Sequence, residues 1–278
     1  MPDISELNGT AVLNVREFDG LTVTEVPTPF AAYSVRLLNT LLGISYTGDC
    51  IRVREDGGDT ETDIGFSSGN LDETALAAHC GSNNGYVRTW YSQVGTADAQ
   101  QATKTSQLKI YDGATGTTTL NSRPILEATE NVTSFTDTSI SQAAPYTAMS
   151  VSYNQNDFNR AALYANSGDV IKFIAAKNKT QTQTSSTSSI TASAAHNDAV
   201  IIGTFIVNGS SSFTRGLSIN ASAETTGTLT DVDITDIQPA ASGTGASSMQ
   251  ELILWDGALD ATTYGAIETD MDTYFNVT

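Results

Sequence analysis

Carboxylates are the only reactive side chains this chain has in quantity. It holds 31 Asp and Glu against 13 Lys and Arg, with two histidines, His79 and His196, and two cysteines, Cys50 and Cys80. Pairs of carboxyl groups cleave glycosidic bonds, one as acid and the other as nucleophile or base. Closely spaced ones bind calcium through oxygen ligands. Asp56, Asp59, Glu61 and Asp63 crowd one loop, and Asp231, Asp233 and Asp236 lie in VDITDI, where an i, i+2 pair shares one strand face. Neither has the spacing of an EF-hand, so each reads first as a solvated acidic face, with calcium the ion it would take. The chain has one Gly-x-Ser-x-Gly spacing, Gly65-Phe66-Ser67-Ser68-Gly69, and no Cys–His arrangement that points to a nucleophilic cysteine. His79 reads as a packed helix residue. Cys50 and Cys80 read as two reduced buried thiols, with a disulfide or a metal pair as the alternative. Trp90 and Trp255 are the candidate platforms for a sugar face, although both stand inside strand patterns, which favours core.

The elements that position these residues are mainly β. With 39% hydrophobic and 16% charged residues, the chain is too apolar for a disordered protein and too sparsely charged for a long helical one. A net charge of −18, with eleven acids and one base (Arg215) in residues 180–278, repels phosphate backbones and argues against direct nucleic-acid binding. No apolar run approaches the roughly 20 residues that span a bilayer. The N-terminus MPDISELNGT lacks the basic and apolar parts of a signal peptide. The expectation is a chain made in a cytoplasm, with no membrane partner.

Along the chain, AVLNVREF-DG-LTVTEV predicts a hairpin over residues 11–26, turning at Asp19-Gly20. Such a hairpin is marginal alone and needs something to dock on. Tyr33, Leu37, Leu38 and Leu41 predict a helix over 30–42, stopped by Gly43. CIRVRE and IGF predict a second hairpin around the acidic loop. Asp72 predicts a helix N-cap, with Leu71 and Leu76 as hydrophobic staple and Gly81 as stop, and GYVRTWY predicts a strand. Beyond Ile110, short apolar runs (PILEA, YTAMSVSY, AALYA, VIKFIAA, AVIIGTFIV, GLSIN, VDITDI, MQELILWDG) alternate with turn residues, which predicts a two-sheet sandwich of the jelly-roll type. The polar stretch 180–193 reads as a long hairpin or loop. Asp260 caps a closing helix whose apolar stripe is Tyr264, Ile267, Met271, Tyr274 and Phe275. The expected domains are an arm, residues 1–29, and one sandwich, residues 30–278, divided into a helix and hairpin framework (30–95) and jelly-roll strands with the C-terminal helix (96–278).

The block from Ala31 to Gly95 resembles the N-terminal part of the alpha-L-arabinofuranosidase B catalytic domain, and of similar domains in phage and bacterial proteins. Ile51–Arg54, Asp63–Phe66, His79-Cys80 and Trp90–Gly95 carry the likeness. The stretches TFIVNGSSSFTRGLSINASAE and SMQELILWDGALDATTYGAIE are similar to the closing strands and helix of concanavalin A-like, laminin G-type sandwiches. The family's WYDQSG stands here as Trp90-Tyr91-Ser92-Gln93-Val94-Gly95, so its acid is Ser92. The resemblance implies one catalytic carboxylate in a central strand and another shortly before the last strand. The corresponding runs, IKFIAAKNK and PAASGTGASS, contain no acid.

From these features the sequence predicts a non-catalytic bacteriophage virion protein, a capsid decoration, head fibre or tail fibre displaying a lectin-like sandwich for host-glycan attachment. The alternatives are a free carbohydrate-binding adhesin and, behind it, an arabinofuranosidase-like glycoside hydrolase. Expected partners are other virion proteins through the N-terminal arm, further copies of the chain such as a trimer, and a host glycan. No catalytic residue and no cofactor are expected. The expected location is the virion, assembled in the host cytoplasm.

Overall fold

Three antiparallel sheets carry the structure, a computed structural model. Side chains are described for residues 26–128, 145–153, 200–206 and 248–277, together with Phe135, Ile140 and Gln142; elsewhere only the backbones of the strands named below are described. The largest sheet runs in the order Thr225–Leu229, Phe213–Ile219, Val200–Asn208, Tyr146–Tyr153, Ser248–Asp256, Ala31–Ser34. The second runs Ser188–Thr191, Lys179–Ser185, Ile171–Ala176, Arg160–Ala165, Ile237–Pro239. Together they form the predicted jelly-roll-like β-sandwich, with few short helices. The polar stretch after Lys179 is a true hairpin, Gln181 pairing with Thr191 and Ser185 with Ser188.

The third sheet is the framework. Its order is Gly116–Thr117, Leu108–Asp112, Gly85–Trp90, Ile51–Glu55, Glu61–Ile64, with Ala99–Gln100 joined to Gly85–Trp90. Ile51, Val53, Val87 and Ile110 are fully buried, while Arg52, Tyr86, Arg88 and Lys109 alternate with them on the wetter face. Helix α1 spans Asn39–Leu42 and α2 spans Glu73–Cys80, where the Asp72 carboxylate accepts the Ala75 N–H at 3.0 Å. The acidic loop is built around Glu55. Its carboxylate accepts from the backbone N–H groups of Gly57, Gly58 and Thr60, from the Thr60 hydroxyl and from Asn83 Nδ2.

Those donors, Gly58 and Thr60 first, lower the Glu55 pKa to about 2 from a reference of 4.5. A carboxyl depressed on folding contributes stability above its unfolded pKa and loses it as pH falls through the folded one. Urea midpoints of the native chain should therefore fall between about pH 4.5 and 2, and Glu55→Gln should flatten that limb. An unchanged limb in the variant would assign it to other groups.

The helix predicted over 30–42 is corrected. Residues Ala31–Ser34 form a strand paired with Leu254–Glu251, and only α1 is helical. All four strand residues are at most 1% exposed. A strand buried on both faces shows no alternation, so its apolar run is open to a helical reading. The PILEA segment contributes a two-residue strand, Arg123–Pro124, followed by the single bridges Leu126↔Met249 and Lys109↔Glu127.

Near the N-terminus, Arg16–Phe18 pairs with Leu21–Val23, Phe18 opposite Leu21; Asp19 and Gly20 lie outside the described residues. At the other end, α3 spans Ala261–Phe275 and is capped by Asp260, which accepts the Thr263 N–H. Ile267, Met271 and Phe275 are fully buried and Tyr264 and Tyr274 partly so, which makes the stripe a packing face. No helix among the described residues is long and apolar enough to cross a membrane.

Candidate functional site

The segment Trp90–Gly95 works as a clamp on the Ala31–Leu38 segment. Ser92 Oγ accepts the Ala32 N–H at 3.2 Å and donates to Val94 O at 2.6 Å, while the Gln93 N–H donates to Ala32 O at 2.7 Å. Gln93 Oε1 accepts from Leu38 N, and its Nε2 donates to Arg36 O at 2.7 Å. Gln93 is 4% exposed, and its amide satisfies backbone groups of Arg36 and Leu38 where the chain leaves the buried edge strand. A carboxylate does lie close to Ser92, because Asp98 Oδ1 accepts the Ser92 N–H at 3.0 Å.

Beside the clamp lies a partly exposed polar face. Arg52 forks onto Asp63 at 2.7 and 2.8 Å, and the Tyr91 hydroxyl donates to Asp63 Oδ1 at 2.6 Å. The Arg52 bond holds the Asp63 carboxyl below its usual range; burial, then donation to Asp63, pushes the Tyr91 phenol up. Asn39 brackets the Tyr46 backbone with two hydrogen bonds, and burial together with Asp98 raises the Tyr46 phenol to about 12. A carboxylate held low by a guanidinium is a poor general acid, so Asp63 suits electrostatic or binding work.

Under α3 lies a buried ionic seam. Glu251, fully buried, accepts from Ser34 Oγ at 2.6 Å and from Arg36 Nε and Nη2 at 2.8 and 3.0 Å. Arg36 Nη2 also reaches Asp270 Oδ2 at 2.6 Å, and the guanidinium stacks on the rings of Tyr274 and Phe275. Burial opposes the Arg36 charge, but the two carboxylates outweigh it and keep the group protonated. A few residues away, Thr204 Oγ1 donates to the buried Glu268 carboxylate at 2.5 Å. These carboxylates are committed to docking a helix. Sequence reasoning missed Arg36, Gln93 and Glu251, although a lone Glu inside the apolar run MQELILW is the mark of a buried pair.

Trp90 and Trp255 are both 0% exposed, so neither presents a ring face to solvent. Trp90 packs against Tyr33 and Phe135, with centroids at 5.7 and 6.1 Å, and Trp255 Nε1 donates to Pro27 O at 2.8 Å. Asp231, Asp233 and Asp236 lie outside the described residues. Cys50 and Cys80 are buried and not disulfide-bonded, and the Cys50 thiol donates to Ser34 O at 3.3 Å; burial pushes the Cys50 thiol up and, with Glu55 and Asp56 nearby, raises that of Cys80 to about 11. No group of three or more potential metal ligands occurs among the described residues. The run IKFIAA is the central strand of the second sheet, where the family resemblance places a carboxylate.

No protein-family model and no curated protein sequence matches this chain. Solved structures do. A GH54 alpha-L-arabinofuranosidase soaked with a cyclic sulfate inhibitor aligns over 87% of this chain with a TM-score of 0.66 and 14% identity. An arabinofuranosidase complexed with arabinofuranosyl-alpha-1,2-xylobiose aligns over the same share, with a TM-score of 0.62 and 16% identity. The chain spans 62% of the length of each of these neighbours. Its fold is therefore the arabinofuranosidase B-like sandwich that Ile51–Arg54 and Trp90–Gly95 suggest. The expectation of a non-catalytic virion component, and of no enzyme, is corrected here. Both of these neighbours are arabinofuranosidases, which are glycoside hydrolases.

Proposed function

We propose that this chain is a carbohydrate-active sandwich of the glycoside-hydrolase type, acting on arabinofuranosyl groups of a glycan. The observation that carries the reading is the extent of the fold match, 87% of the chain at a TM-score of 0.66 to an arabinofuranosidase. The clamp and the framework sheet, which hold the residues of the resemblance, support it. The carboxyl pair such chemistry needs comes from outside IKFIAAKNK and PAASGTGASS, neither of which has an acid. In this reading residues 30–278 form the module and residues 1–29 an arm, within which Arg16–Phe18 pairs with Leu21–Val23.

The test is release of nitrophenol from 4-nitrophenyl alpha-L-arabinofuranoside. The expected result is release proportional to protein concentration and lost on heat denaturation. No release at high protein concentration, with no binding of arabino-oligosaccharides by calorimetry, would refute the reading.

A further inference from the structure

We draw no further inference here: the strongest candidate, the partly exposed side-chain cluster of Arg52, Asp63 and Tyr91 on the framework sheet beside the Trp90–Gly95 segment, directs its hydrogen bonds to its own members, and nothing in the structure shows what covers it.

Discussion

Arg36→Ala should lower the stability of this protein by about 3–5 kcal/mol, because removing one partner of a buried ion pair leaves its counter-charge uncompensated. Two carboxylates are stranded here. Glu251 is fully buried and loses both guanidinium bonds, and Asp270 loses its contact at 2.6 Å. The stacking of the guanidinium on Tyr274 and Phe275 goes as well. At roughly 2–4 °C per kcal/mol for a chain of this size, the melting temperature should fall by about 10 °C, read by calorimetry or circular dichroism. Arg36→Lys should recover only part of the loss, since an ammonium does not fork onto Glu251 while reaching Asp270. The double variant Arg36→Met, Glu251→Met should be milder than Arg36→Ala, because it removes the buried charge with its partner. A loss under about 1 kcal/mol for Arg36→Ala would mean that water reaches the seam and that α3 is held by its apolar stripe alone.

Trp255→Ala should cost about as much, roughly 3–5 kcal/mol, by opening a cavity in the core of the sandwich. Trp255 lies in the Ser248–Asp256 strand, opposite Thr147, and is 0% exposed; truncating it also leaves the Pro27 carbonyl without its indole donor. The measurement is a urea midpoint, read together with furanoside binding at a temperature where the variant is folded. A core role predicts a large shift in midpoint and little change in affinity per folded molecule. A platform role predicts the reverse. Trp255→Phe should lie between, since it keeps most of the volume and loses the N–H bond.

Where the sequence was legible, the reason was local. Asp72 and Asp260 cap helices because a short side-chain acceptor meets free N–H groups two or three residues on. Phe18 pairs with Leu21 as the Asp-Gly dipeptide between them predicts, because a two-residue connection allows few registers. Ala31–Ser34 was misread because a strand enclosed on both faces has no polar side to alternate with, and what encloses it, Glu251–Leu254 and the Ser92–Gln93 clamp, lies about 60 to 220 residues away in the chain.

By itself the sequence determined the class of fold, the helix N-caps, the hairpins and the likeness of the Ala31–Gly95 block to the arabinofuranosidase B-like fold, because each follows from contacts within a few residues or from a motif read in order. Only the tertiary structure decided what the polar residues do. Glu251 is a partner of Arg36, Gln93 is a clamp on Leu38, and Asp98 meets Ser92. The physical reason is that charge and hydrogen bonding depend on distances of about 3 Å between atoms, and chain positions do not fix those distances until the sheets have packed.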